Sequence, residues 1–373
     1  MEKVKRLLPI LLALVLMITS LISVATVSAD DTDWRYDEST ATLYVFGTGA
    51  MSDYADEFSA PWQSIIADVN NVVIENGVTS VGAYAFCGAS SLSAVTIADT
   101  VTAVGAFAFD SCPMLKALTF SPSVTSIADS SFATVGATPK EEFVLQVQNG
   151  SYAFHYAVEN GISFEVDSVG CGVYPVQIKP KAMYAYFKFV PAYDGQYAFS
   201  SIGVHSVKGA VYDEDFNALY SSKTSFSTTQ TLTAGKTYYV GVSLVSTVLA
   251  GSFELNIAAK SFTYKASVVA MADPSGTPTD IPLPNALADG NAVGEELTVN
   301  VSDTSSTVEL SYGKFTKTIE ITIDSPNVIA MPACDLNNDG YVNAKDFAIM
   351  KKSDSELLPY YQNFINYSVS DFS

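Results

Sequence analysis

Val78-Thr-Ser-Val-Gly-Ala-Tyr-Ala-Phe86 recurs as Val101-Thr-Ala-Val-Gly-Ala-Phe-Ala-Phe109, and again, weakened, as Val124-Thr-Ser-Ile-Ala-Asp-Ser-Ser-Phe132. Each copy begins 23 residues after the one before it. Leu92-Ser-Ala-Val-Thr-Ile97 and Leu115-Lys-Ala-Leu-Thr-Phe120 lie between the copies and keep the same 23-residue step. A fixed period in the low twenties, with apolar residues at constant places, makes each copy one turn of a stacked array. A single turn cannot cover its own apolar side chains, whereas stacking buries them in one continuous core. Phe86, Phe109 and Phe132 share a repeat position and are therefore expected to form an internal column. Leu92, Val95 and Ile97 point inward in this reading, which leaves Ala94 and Thr96 pointing out, with Ala117 and Thr119 as their counterparts. These small uncharged side chains suit a flat contact surface for a protein or a glycan. A spacer without a ligand would use the same residues.

The pattern V-T-x-[VI]-G-x-x-A-F-x-x-C-x-x-L resembles the BspA-type leucine-rich repeats of bacterial surface proteins. Flanking segments extend the resemblance over roughly residues 33–166. Trp34-Arg-Tyr-Asp37, Leu43-Tyr-Val-Phe-Gly-Thr-Gly-Ala-Met51 and Ala60-Pro-Trp62 look like the family's N-terminal cap. Val72-Val-Ile-Glu-Asn-Gly-Val78 looks like its first rung, and residues 150–164 like its exit helix and strand. The resemblance implies a β cap at 30–71 and a short solenoid with a terminal cap at 72–166. Cys112 stands at the family position, but Cys87 departs from it by following Phe86 directly.

Beyond residue 166 the pattern changes to alternation with period two. Tyr186-Phe-Lys-Phe-Val190, Gly195-Gln-Tyr-Ala-Phe199, Gly209-Ala-Val-Tyr212, Thr237-Tyr-Tyr-Val-Gly-Val242 and Ser252-Phe-Glu-Leu-Asn-Ile257 read as strands separated by turn residues. That spacing predicts an all-β sandwich over 167–258. Phe187-x-Phe-x-Pro191, Gly195-x-Tyr197-x-Phe199 and Ala234-Gly-Lys-Thr-Tyr-Tyr239 resemble the bacterial pre-peptidase C-terminal domain. Glu296-Leu-Thr-Val-Asn-Val301 and Thr318-Ile-Glu-Ile-Thr-Ile323 suggest a second, small immunoglobulin-like β domain or spacer over 259–329. The expected fold is thus mainly β and multidomain: a leucine-rich-repeat solenoid, two sandwiches and a small α calcium-loop module at 330–373.

That last module rests on Asp335-Leu-Asn337-Asn-Asp339-Gly340-Tyr341-Val-Asn343-Ala-Lys-Asp346. Oxygen side chains occupy the first, third, fifth, ninth and twelfth places, and Gly340 takes the sixth, where the backbone must turn sharply. An EF-hand loop needs this spacing to surround a hard cation with oxygen, and its seventh ligand is a backbone carbonyl, here that of Tyr341. Calcium is the expected cofactor, held by Asp335, Asn337, Asp339, Tyr341, Asn343 and Asp346. Pro332 stands three residues ahead of the loop and disfavours an incoming helix. A calcium loop entered without a helix and followed by one resembles the dockerin module, which joins secreted proteins to cohesin-bearing scaffolds. The resemblance implies a cohesin-like partner and assigns Ala344, Lys345, Lys351 and Lys352 to the partner face. A solvated helix face is the plainer reading of those four. A second loop ending at Asp371 would place Tyr360 and Phe364 at ligand positions, where neither can ligate, so any such loop is degenerate.

The chain opens on Met1-Glu-Lys-Val-Lys-Arg6, runs apolar to Ile22 and reaches Val27-Ser-Ala29. This reads as a secretion signal at 1–29, with an extracellular or cell-surface product and no membrane insertion after cleavage. The formal charge of −20 becomes −22 once the signal's three basic residues and one acidic residue are gone. Nucleic acid and anionic lipid both require a basic face, so the charge sum argues against them. The four cysteines have no zinc spacing. Cys87 and Cys112 lie in neighbouring repeats and either pair or pack as small hydrophobes. Two histidines, His155 and His205, and no nucleophile or phosphate motif, speak against an enzyme. The expected function is adhesion or binding through the repeats, with docking through the calcium loop. A carbohydrate-binding accessory of a cellulosome-like, polysaccharide-degrading complex is the alternative, and a structural spacer is a third.

Overall fold

The repeat glycine shows how closely the turns stack. A Cβ on Gly105 would stand 2.5 Å from the Ala83 amide nitrogen, and one on Gly82 1.9 Å from the Ser52 carbonyl oxygen. Only glycine lets successive backbones approach this far. Two positions later Tyr84 and Phe107 both take a left-handed φ of 57°. Their rings stack at 4.9 Å.

The computed structural model describes residues 31–133, 143–179, 183–246, 250–273, 275–302, 304–333, 335, 341–353, 356–360 and 363. The expected signal at 1–29 lies outside them, as do Asn337 and Asp339 of the candidate loop. The chain divides into two compact units, Met1–Glu165 and Val166–Ser373.

In the first unit an antiparallel hairpin, Asp31–Asp37 with Thr42–Ala50, starts the array. Asn71–Ile74 joins Thr42–Ala50 in parallel, and Ala94–Ile97 joins Asn71–Ile74, with Val72 level with Val95. The series continues as Ala117–Thr119, Val144–Gln146 and Ser163–Glu165, again parallel. A second parallel series runs Val78–Val81, Ala103–Val104 and Ser126–Ile127. The expected aromatic column is present. Phe86 stacks on Phe109 at 5.5 Å, and Phe109 on Phe132 at 5.7 Å with rings 6° apart. Trp62 closes one end by stacking on Phe86 at 5.6 Å and donating its Nε1–H to the Ala85 carbonyl at 2.6 Å. The helix Tyr152–Asn160 follows the last turns, capped by Ser151 Oγ, which accepts from the Phe154 amide at 3.2 Å. Gly161 ends it in the left-handed conformation, at φ 62°.

Among the described residues the second unit has one seven-stranded and two four-stranded sheets, and two four-strand sets within them contain the strands expected over 167–258. One orders Gly172–Ile178, Gly251–Met271, Gly195–Ile202 and Ser227–Leu232; the other orders Ala185–Phe189, Tyr238–Leu244, Val207–Tyr212 and Ala218–Ser222. Phe189 of the second set meets Tyr197 and Phe199 of the first edge-on, at 5.2 and 5.7 Å.

The division expected at 258/259 falls inside the unbroken strand Gly251–Met271. Up to residue 257 its buried positions are Phe253, Leu255 and Ile257; from 262 to 268 they are Phe262, Tyr264, Ala266 and Val268. Tyr197 pairs with Ala259 and Gln196 with Ser261, which leaves Lys260 as the extra residue of a β-bulge. The bulge reverses which alternate positions face inward, so one strand reads as two. Past the bulge the strand pairs with Leu297–Ser302 and, in parallel, with Val328–Met331.

The residues expected to form a separate module at 330–373 are not set apart either. Val342 and Leu357 belong to one buried cluster with Tyr264, Leu297, Leu310 and Met331. The Asn363 Nδ2–H donates to the Ala272 carbonyl at 2.6 Å.

Candidate functional site

Ala94, Thr96, Ala117 and Thr119 are all exposed, while Leu118 between the last two is buried. Val95 and Ile97, both expected inside, are half-buried. The strands Ala94–Ile97 and Ala117–Thr119 run side by side within 8 Å, so the four residues share one face. Register adds Asn71 and Val73 on one side, level with Ala94 and Thr96, and Gln146 on the other, level with Thr119. Thr119 Oγ1–H donates to Gln146 Oε1 at 2.6 Å. Nearer the cap, Arg35 lies 3.6 Å over the Tyr44 ring and 3.7 Å from Glu75. Glu75, Asn76, Thr96 and Asp99 line a shallow open recess on the same side. Neither Arg35 nor Tyr44 stands out in the sequence as a contact residue. Tyr44 was findable, because it alternates with the buried Leu43 and Val45 and so points outward.

Around the candidate calcium loop, Asp335 and Asp346 are both buried, at 8 % and 0 % exposure. Two carboxylates withdrawn from water suit a hard cation, whose charge would offset their desolvation. The described residues also form a capping box at the start of the helix Ala344–Ser353. Asn343 Oδ1 accepts from the Lys345 amide at 3.0 Å, and the Asn343 amide donates to Asp346 Oδ2 at 2.9 Å. Asn343 Nδ2–H also donates to the Tyr341 carbonyl at 3.3 Å. The expected ligands at the ninth and twelfth places therefore have a second role in starting the helix.

Ala344, Lys345, Lys351 and Lys352 are exposed on this helix. Ala344 and Lys351, like Lys345 and Lys352, are seven apart and share a face. Phe347 and Ile349, 39 % and 38 % exposed, add apolar surface that the sequence argument passed over. Phe347 lies three residues from Ala344, and that spacing was the available signal.

A third feature lies on the second unit. Tyr184, Tyr186, Tyr212, Phe216 and Tyr239 form a cluster of rings on the face of the strand set Ala185–Phe189, Tyr238–Leu244 and Val207–Tyr212. Phe216 stacks on Tyr239 at 4.3 Å from a left-handed φ of 59°. Gly241 makes room beneath, since a Cβ there would meet Tyr186 Cε1 at 2.7 Å.

Cys87, Cys112 and Cys171 are free thiols. Burial, the nearby Asp110 carboxylate and that of Glu57 push the Cys87 thiol up to about 11. Burial pushes Cys112 up to about 12. His155 sits on the closing helix; burial lowers its affinity for a proton, and Glu159, 3.9 Å away, partly opposes this. Among the described residues no group of three or more His, Cys, Asp or Glu side chains gathers to hold a metal. No described helix is long and apolar enough to cross a membrane.

Residues 65–165 match the profile described as BspA type leucine rich repeat region, in six copies. The match ends at the residue that closes the first unit. No curated protein matches the chain. Among solved structures, a leucine-rich repeat protein from Eubacterium ventriosum is similar, with 22% identity over 38% of this chain and a TM-score of 0.29. The similarity spans 43% of that protein's length, less than half of it. Residues 65–165 are thus a BspA-type leucine-rich repeat region within a mainly β chain.

Proposed function

We propose that the chain is a secreted, non-catalytic binding protein whose repeat face contacts a protein or a glycan. The observation that carries this reading is the face itself. Ala94, Thr96, Ala117 and Thr119 present short uncharged side chains from two neighbouring strands beside a stacked aromatic core. Such a surface is rigid before contact, so little conformational entropy is lost on binding. Arg35, Glu75 and Asp99 supply polar groups at its margin.

In this reading the C-terminal loop binds one calcium ion through Asp335, Asn337, Asp339 and Asp346, the Tyr341 carbonyl, and Asn343 directly or through water. The following helix then offers Ala344, Lys345, Lys351 and Lys352 to a cohesin-like scaffold, as in a dockerin with one working loop. The two buried carboxylates support the ion, and the four exposed helix residues support the docking face. The test uses the chain from residue 30 against a glycan array and against the source organism's extracellular fraction, with and without chelator. Replacing Ala94 and Ala117 by Arg should abolish ligand capture and leave thermal stability unchanged. Undiminished capture would remove the repeat face from consideration.

The ring cluster around Phe216, in which Tyr184, Tyr212 and Phe216 are half-buried over the buried Tyr186 and Tyr239, supports a second reading, in which residues 167–258 form a pre-peptidase-like sandwich that binds carbohydrate for a polysaccharide-degrading complex. Aromatic rings supply stacking planes for apolar sugar faces. Retention on insoluble polysaccharide that Phe216→Ala removes, with the Arg variants of the repeat face unaffected, would select this reading over the first.

A further inference from the structure

The strand register of residues 172–258 gives the second unit one apolar, basic end and one acidic end. At the first, the turn 202–206 joins Gly195–Ile202 to Val207–Tyr212, and Leu244 lies opposite Val207. The Val245 amide donates to the Ser206 carbonyl at 2.9 Å, which clasps together the tips of two connections between the strand sets. A Cβ on Gly251 would stand 3.0 Å from both His205 Nε2 and Leu244 Cδ1, so the start of the long strand belongs to the same end. From these tips Val204 projects with 94% exposure, Ile202 with 46% and Val245 with 37%. At that exposure Val204 stands clear of the surface, a convex tip and not the wall of a pocket.

Lysines surround the tips. Lys179 follows Ile178, which pairs with Gly251, and Lys223 follows Ser222, which pairs with Gly209. Both are exposed, and neither is in an ion pair among the described residues. Lys208 stands opposite Ser243, its ammonium 4.9 Å from the Tyr184 ring. Glu254, opposite Ile202, is the described carboxylate nearest in register. At the other end acidic residues outnumber the lysines, which are Lys188, opposite Tyr239, and Lys236, next to the Gly235 whose amide donates to the Pro191 carbonyl. Asp194 precedes Gly195, and Asp213, Glu214 and Asp215 follow Tyr212. The long strand continues from that acidic end, where Phe262 lies opposite Gly195, so the later strands lead away from the apolar tips.

We propose that this end is a docking surface for a lipid bilayer bearing anionic headgroups. Ile202, Val204 and Val245 would enter the boundary between headgroups and acyl chains, while Lys179, Lys208 and Lys223 meet the phosphates. Branched aliphatic side chains on a convex tip need a deformable apolar medium, which a bilayer provides. The contact is peripheral and crosses nothing. It runs against the expectation drawn from the charge sum of −20. Charges more than ~8 Å apart are largely screened at physiological salt. The acidic turn is separated from the tips by the six-residue strand Val207–Tyr212, roughly 20 Å of extended chain. The lysines near the bilayer therefore set the local interaction.

The experiment is co-sedimentation of the chain from residue 30 with vesicles of phosphatidylcholine alone, or of equal parts phosphatidylcholine and phosphatidylglycerol. Binding is expected to the mixed vesicles, falling as salt is raised. Val204→Asp, at a site too exposed to affect folding, should lower the partition coefficient about tenfold, and Lys179→Glu with Lys223→Glu by about thirtyfold or more. Phe58→Ser, at an exposed apolar residue of the first unit, should leave it unchanged. No binding to either vesicle, or equal binding by wild type and Val204→Asp, would overturn the proposal. So would concentration-dependent self-association without lipid that Val204→Asp abolishes, since the tips would then join copies of the chain.

Discussion

Phe109 has a ring on each side, Phe86 at 5.5 Å and Phe132 at 5.7 Å, and is fully buried. Truncating it removes apolar burial and leaves both neighbours facing a gap. Phe109→Ala is expected to cost ~3–5 kcal/mol in denaturant unfolding of the first unit. Phe58→Ala, at 72% exposure, should be nearly neutral. A Phe109 effect under ~1 kcal/mol would mean the column does not hold the turns together. The thiols beside it act as packing groups. Cys112 Sγ–H donates to the Phe86 carbonyl at 3.2 Å, and its titration lies near 12 against 9.0 for a free thiol. Cys87 is shifted in the same direction, to about 11. In the window between these values the unfolded chain has lost the protons and the folded chain still holds them. Stability is therefore complete below pH 9 and falls as pH rises toward 11 and 12. The urea midpoint of the first unit should drop as pH rises from about 9 to about 11, and replacing both cysteines by Ala should flatten that part of the drop. Both thiols should also resist a disulfide reagent until denaturant is added.

At the scale of single elements, the helix Ala344–Ser353 has two demands on the residues before it. Asn343 and Asp346 cap it, and in the proposed function they also belong to the calcium set. The two roles separate by substitution. Asn343→Ala should cost ~1 kcal/mol even without calcium, because it removes the cap. Asp339→Ala should leave the metal-free melting temperature alone and abolish the rise that millimolar calcium gives the wild type. Equal calcium shifts in the two proteins would remove the loop as a metal site. What the sequence disclosed follows the same division. The repeats were legible because each position keeps its role through three copies, so Phe86 predicts Phe109 and both predict the column. The outward set Ala94, Thr96, Ala117 and Thr119 followed from alternation alone. The strand Gly251–Met271 was not legible, because the extra residue Lys260 reverses the phase of alternation midway. Val342 was hidden for a different reason: it stands among ligand-type residues, and only tertiary contact shows that it belongs to a core. The charge sum likewise concealed two ends of opposite sign, since addition discards position.

Across the whole molecule, continuity of strands decides where the chain can be divided. Among the described residues no strand of Met1–Glu165 pairs with one past Glu165, whereas Gly251–Met271 ties residues 172–178 and 195–202 to 297–302 and 328–331. Separate expression of 30–165 and 166–373 should give two folded proteins, each unfolding in one cooperative transition. A chain ended at 258 should not match the stability of 166–373, because it exposes the cut strand's edge and loses Phe262 and Tyr264, which face Tyr193 at 5.2 and 5.6 Å. Deleting 330–373 removes Met331, Val342 and Leu357 from the shared core, so it too should lower the unit's denaturation midpoint. That deletion consequently cannot serve as a clean test of docking, since lost binding would follow from lost structure. Lys351→Glu with Lys352→Glu is the better instrument: both residues are exposed, and the exchange reverses charge without touching Val342 or Leu357. If the helix meets an acidic scaffold, this variant should keep the wild-type melting temperature and calcium response and associate more slowly, with less dependence on salt. Unchanged association kinetics would leave residues 330–373 as part of the second unit's core and nothing more.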